Sequence, residues 1–95
     1  MRKMTFMPEL RAYLNTNGRI YSVRKYDMPS AVVQIDGVGL CKRLNLGLIV
    51  EDKALTAYAD QSGFPTLKDW LAVVYGTFIV KGYPMYLYEV TKGVE

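Results

Sequence analysis

The sequence has no histidine and one cysteine, Cys41. No intramolecular disulfide can form, so a reducing compartment is the simpler expectation. Structural zinc is held by a full tetrahedral set of Cys or His ligands, and this chain does not have one, so no metal site is expected. The missing histidines also remove the commonest general base and every Ser-His or Cys-His nucleophile pair. Any chemistry would rest on Lys, Arg, Ser, Tyr or carboxylates, with no cofactor expected. Long hydrophobic runs are lacking too. Stretches such as Leu44 to Val50 and Leu71 to Tyr75 fall far short of the ~20 residues of a membrane-spanning helix, and the start of the sequence has no signal-peptide pattern. No membrane contact and a cytoplasmic location are therefore expected. Internal repeats, low-complexity tracts and linkers are absent as well.

What is present is a hydrophobic content of 51% in 95 residues, enough to bury a core and to exclude disorder, so residues 1–95 are expected to form a single domain. Charge is uneven along the chain. Residues 1–43 carry eight Lys or Arg against three acids, whereas residues 44–95 carry four against six. A basic face of this kind suits a polyanion such as nucleic acid or a phosphorylated ligand. A solvated charged surface would give the same distribution.

The patterning is α+β. Met1 to Thr5 reads as a short strand or an end. Pro8-Glu9 opens a helix, with Leu10, Tyr13 and Leu14 on one side and Asn17-Gly18 as its exit. Ile20 to Arg24 alternates as a strand, and Met28-Pro29-Ser30 ends that extended segment or its loop. Ala31 to Ile35 is a second strand, and Asp36-Gly37 turns it into Val38 to Arg43. Leu44, Leu46 and Leu48 are expected on one face of the stretch to Val50. Gly39 and Gly47 suggest bulges or bends of the kind a small closed barrel requires. Ala54 to Asp60 is a brief helical piece. Thr66-Leu67-Lys68-Asp69 is a capping-box variant heading a helix whose apolar stripe is Leu67, Trp70, Leu71 and Val74. Trp70 on that stripe belongs to the core. Phe78-Ile79-Val80 and Pro84 to Val90 close the chain as strands, the latter with Tyr86, Tyr88 and Val90 on one face.

The segment Asn17-Gly18-Arg19-Ile20-Tyr21-Ser22-Val23-Arg24 is the most informative. If it leaves a helix and enters a strand, Arg19 lies near the turn while Ser22 and Arg24 share a strand face. Two guanidiniums and a hydroxyl would then converge to hold a phosphate, a carboxylate or the carbonyl edge of a base, because guanidinium presents a planar fork of donors. An ion-paired strand end is the plain structural alternative. Lys25, Lys42 and Arg43 could extend a phosphate-contacting surface, or be ordinary surface cations. Tyr21 and Tyr26 flank the strand as candidate stacking residues, and Tyr26 is the better placed of the two.

The run from Thr5 to Arg24 resembles the start of ASCH domains, a branch of the PUA-like superfamily. There a Phe-bearing strand and a helix lead into a Gly-x-Lys-x-x-(Glu or Thr)-x-Arg signature. Arg19 matches the Lys, Ser22 the hydroxyl or acid and Arg24 the final Arg, while Asn17 replaces the usual Gly. Ala59-Asp60-Gln61-Ser62-Gly63-Phe64, the helix through Trp70 and the strand near Tyr86-Leu87-Tyr88 resemble the family's second half in order and spacing. The resemblance implies a small PUA-like mixed β-barrel with two or three short flanking helices beside a cleft, and association with RNA or modified bases. Arg19, Ser22, Arg24, Lys25, Tyr26 and Ser62 are then the expected ligand-binding residues. One ASCH group, the bacterial acetylcytidine amidohydrolases, uses Lys, Thr and Glu, at which positions this chain has Arg19, Ser22 and Ser62. Guanidinium stays protonated near neutral pH and is a poor base, and serine cannot replace a carboxylate in proton transfer.

Three functions follow as expectations. The first is a module binding RNA, another nucleic acid, or a nucleoside or nucleotide through a basic cleft. The second is a metal-independent amidohydrolase acting on a modified nucleoside such as acetylated cytidine, with Arg19, Ser22 and Asp60 at its centre; Glu51 is the other acid considered near them in sequence. The third is a protein-interaction domain whose aromatic strands form a homodimer.

Overall fold

In a computed structural model, which describes residues 2–78 and 84–93, Pro8 begins helix α1 (Pro8–Asn17). Its missing N–H costs nothing in the first turn, and Glu9 faces the positive end of the helix dipole. Gly18 ends the helix at φ +79°, and its N–H donates to the Leu14 carbonyl at 2.8 Å. The strands are β1 (Arg2–Met4), β2 (Arg19–Arg24), β3 (Ala31–Ile35), β4 (Gly39–Ile49) and β5 (Met85–Lys92). A 3₁₀ helix spans Asp52–Gln61, and α2 (Leu67–Val73) follows it. Thr66 caps α2 as its sequence predicts: its Oγ1 accepts the Asp69 N–H at 3.1 Å and donates to the Asp69 carboxylate at 2.9 Å. The expected strand at Phe78-Ile79-Val80 is not seen at Phe78, which ends a π-helical turn, Val74–Phe78. Ile79 and Val80 lie outside the described residues.

The strands form one mixed five-stranded sheet in the order β1-β3-β4-β5-β2. β1 runs parallel to β3, and the other neighbours are antiparallel. The chain is thus α+β, as its patterning indicates, but among the described residues the sheet is not closed. No ladder joins its edges β1 and β2. β1 pairs its three residues with β3 along one edge.

Cross-strand partners share a sheet face, so the register sorts the side chains into two layers. Ile20, Ser22 and Arg24 pair with Val90, Tyr88 and Tyr86 on one face. There Met4, Val33, Ile35 and Cys41 join Ile20 and Val90, with Leu14 of α1 packed onto them. Val23 and Leu87 belong to the other face, where Leu55, Trp70, Val74 and Met85 make a second cluster beneath the 3₁₀ helix and α2. Trp70 is core, as expected. Each fully buried Leu, such as Leu14 or Leu55, contributes roughly 1.5–3 kcal/mol of hydrophobic stabilisation.

One expectation about β4 fails for a definite reason. Leu44 pairs with Glu89 and Leu48 with Tyr86, and those partners lie an odd number of positions apart on β5, so the two leucines are on opposite faces. A β-bulge between Asn45 and Gly47 makes the flip. Gly47 adopts φ +102°, and the Asn45 side-chain oxygen accepts the Gly47 N–H at 2.7 Å. The flip brings Ile49 against the second cluster. Among the described residues, no helix is long and apolar enough to cross a membrane.

Candidate functional site

The missing ladder between the sheet edges leaves a gap, and a cavity of about 600 Å³ runs through it. Thr5, Phe6 and Met7, which carry the chain from β1 into α1, form one wall. Ser22, Arg24, Lys25 and Tyr26 form the opposite wall at the end of β2. Phe64, Trp70 and Val74 reach in from the second cluster, and Met28 and Arg43 close the remaining side.

Arg24 spans the gap. Its Nε donates to the Ser22 hydroxyl at 2.9 Å, one Nη donates to the Thr5 carbonyl at 2.8 Å, and its guanidinium lies 4.7 Å from the centre of the Phe6 ring. Burial, and then repulsion by Arg43, pulls its pKa down to about 10. Arg43 is only 4% exposed. It donates to the Pro29 carbonyl from two nitrogens, at 3.2 and 2.9 Å, contacts the Met28 sulfur, and lies 5.8 Å from the Tyr88 ring centre. Burial lowers its pKa too, opposed by Tyr88 and assisted by Arg2. Among the described residues, no carboxylate is within ion-pair distance of either guanidinium. Every charged residue lining the cavity, among the described residues, is a cation: Lys3, Arg24, Lys25 and Arg43.

Most of the residues expected at a binding site gather here, in different roles. The Ser22 hydroxyl is buried and occupied by Arg24. Ser62 is 1% exposed, and its Oγ donates to the Ala59 carbonyl at 2.7 Å and accepts the Phe64 N–H at 3.2 Å, which braces the turn that presents Phe64. Tyr26 is at the rim, 63% exposed, with the Lys25 ammonium 5.2 Å from its ring centre. Tyr21 lies against Tyr58 and donates to the Glu89 carboxylate at 3.0 Å, so it forms wall rather than platform.

Arg19 does not converge with Ser22 and Arg24. It occupies an odd position of β2 and they occupy even ones, so the pleat sends it to the other face. It borders a separate polar hollow with Tyr13, Asn17, Gln61 and Thr91. Asp60 is also outside the cavity: its side chain is exposed and its carbonyl accepts the Tyr13 hydroxyl at 3.1 Å. Glu51 is exposed and paired with Lys53 at 3.3 Å. The trio Arg19, Ser22 and Asp60 is therefore not assembled. Lys42 is exposed and opposite Thr91, away from the cavity. The aromatic strand β5 is not an exposed interface, since Tyr88 is fully buried and Tyr86 is half-buried.

Arg43 and Phe6 are the cavity residues that sequence reasoning undervalued. Arg43 has the same strand parity as Cys41, a small apolar residue of the inner face, and that parity was its signal. No family model, curated protein or solved structure matches this chain.

Proposed function

We propose that this chain is a cytoplasmic binding module for RNA, another nucleic acid, or a nucleotide, that its cavity between the sheet edges is the binding cleft, and that its architecture is an ASCH-like variant of the PUA-like barrel. One observation carries the reading: two guanidiniums with no carboxylate partner among the described residues line one cavity with aromatic walls. Guanidinium suits phosphate or a base edge, and rings such as Phe64 and the rim residue Tyr26 suit the flat face of a base. The Arg24 bridge to Thr5 supports the barrel reading, because it links the two edges by a side chain where a ladder would close the sheet.

The test is titration of the chain with single-stranded RNA and with mononucleotides, followed through the fluorescence of Trp70, which lines the cavity and is the sole tryptophan. Arg24→Ala is expected to weaken binding and to reduce the salt slope by about one phosphate contact. Binding indifferent to this change, or no binding to any RNA or nucleotide tried, would overturn the proposal. The amidohydrolase reading has less support: the Ser22 hydroxyl accepts from Arg24, and among the described residues no acid lines the cavity to act as base. Free cytidine released from acetylated cytidine, and lost in Ser22→Ala, would revive it.

A further inference from the structure

Buried cations are normally matched by carboxylates, because desolvating an unpaired charge is costly. Among the described residues, the buried Arg43 and the half-buried Arg24 are matched instead by neutral groups: the Thr5 and Pro29 carbonyls, the Ser22 hydroxyl, the Met28 sulfur and the Phe6 and Tyr88 rings. These compensate hydrogen-bonding capacity without cancelling charge. Arg24 on β2 and Arg43 on β4 stand on the two strands that flank β5, and both face the cavity. Lys3 and Lys25 add to the positive field at the same walls. Among the described residues, the hollow is therefore a partly enclosed space with two uncancelled positive charges, and electrostatic attraction there is stronger than on the open surface.

Resting on the binding function proposed above, we infer that the cleft recognises its ligand by a phosphate group seated between Arg24 and Arg43, with the base as the secondary contact. A phosphate monoester fits the charge count. Its dianion cancels both guanidiniums, whereas a carboxylate cancels one, and its several oxygens can accept from the Nη–H groups that Arg24 and Arg43 do not spend on the protein. The cleft should then take a nucleoside monophosphate, or the phosphorylated end of an RNA strand, and discriminate against the corresponding nucleoside or hydroxyl-ended strand. Binding should also stabilise the fold, because the anion relieves the repulsion between the two arginines.

The experiment compares uridine with uridine monophosphate, and a 5′-phosphorylated RNA oligomer with the same oligomer bearing a 5′-hydroxyl. Trp70 fluorescence reads affinity, and thermal unfolding with and without inorganic phosphate reads stability. Each phosphorylated ligand is expected to bind at least about tenfold more tightly than its unphosphorylated partner, as a charge-assisted contact implies. Whether the mononucleotide or the oligomer shows the larger ratio assigns the phosphate's source. Inorganic phosphate is expected to raise Tm at constant ionic strength. Arg24→Gln should abolish most of the preference, Arg24→Lys should keep part of it, and Lys68→Gln on the exposed side of α2 should leave it intact. Circular dichroism of each variant checks that it is folded. Equal binding of phosphorylated and unphosphorylated ligands, with no phosphate effect on Tm, would overturn the phosphate-first inference while leaving nucleotide or RNA binding standing. A phosphate effect with no binding of nucleotide or RNA would instead overturn the proposed function and leave the anion site standing.

Discussion

The Tyr88 hydroxyl joins Tyr26 to Met28, donating to the Tyr26 carbonyl at 2.5 Å and accepting the Met28 amide at 2.7 Å. It is one of several grips on the loop that follows β2. Asn45 donates from Nδ2 to the Asp27 carboxylate and to the Met28 carbonyl, both at 2.7 Å, and Arg43 holds the Pro29 carbonyl. Side chains of the inner sheet face therefore fix the segment that places Lys25 and Tyr26 at the cleft rim.

Tyr88→Phe keeps the ring, which is fully buried, and removes only the hydroxyl. The Met28 N–H and the Tyr26 carbonyl then lose their partner, a loss expected to cost about 1–3 kcal/mol. For a chain of this size Tm should fall by roughly 5–20 °C. Hydrogen exchange at the Met28 amide should quicken more than exchange in β5. An unchanged Tm together with unchanged exchange at Met28 would show that the hydroxyl does not hold the loop.

Much of the fold is legible in the sequence where a local rule acts alone. Pro8 and Gly18 bracket α1, the Thr66 box starts α2, and Asp36-Gly37 turns β3 into β4. The errors lie where tertiary pairing decides. Leu44, Leu46 and Leu48 look like one stripe because alternation is counted along the chain, but the Asn45 bulge resets that count part-way. Arg19 looks like a partner of Ser22 and Arg24 because it is near them in sequence, yet strand parity separates them. Arg43 reads as a surface cation, since only the pairing of β4 with both β3 and β5 shows that its position faces inward. The cleft itself lies between two strand edges that no ladder joins among the described residues, which no local pattern announces.

The bulge and the turn between Ser62 and Phe64 each hold a glycine with positive φ, and the two should respond differently to alanine. At Gly47 (φ +102°) a Cβ would meet nothing within 4 Å, so the cost is backbone strain alone, about 1–3 kcal/mol. At Gly63 (φ +89°) the added Cβ would lie 2.6 Å from a Leu10 methyl and 3.4 Å from an Ile20 methyl, in the packed layer beneath α1. Gly63→Ala is therefore expected to destabilise more than Gly47→Ala in urea unfolding, because the same strain is joined by overpacking. Leu10 also lines the cleft, so Gly63→Ala should weaken ligand binding whereas Gly47→Ala should not. Equal destabilisation by the two substitutions would mean that Leu10 yields to the new methyl at no cost.

Alkaline pH supplies a test of the layer beneath the 3₁₀ helix. The Tyr75 hydroxyl donates to the Asp52 carboxylate, and its pKa is pushed up to about 12, first by burial, then by that hydrogen bond and the negative charge of Asp52. In the unfolded chain the phenol ionises near its ordinary value of about 10. Because the folded pKa is the higher one, the stabilisation is fully present below the unfolded pKa and is lost as pH rises through the window from about 10 to about 12. Tyr21 shifts in the same direction, through burial and then Glu89, whereas the lowered pKa of Arg24 acts with the opposite sign. The informative quantity is therefore the difference between wild type and Tyr75→Phe, in which the other groups cancel. Urea unfolding at a series of pH values should show wild type the more stable at neutral pH and the gap closing as pH rises through that window. A gap of constant size would mean that Tyr75 ionises alike in the folded and unfolded chains, and that Asp52 does not hold its proton in place.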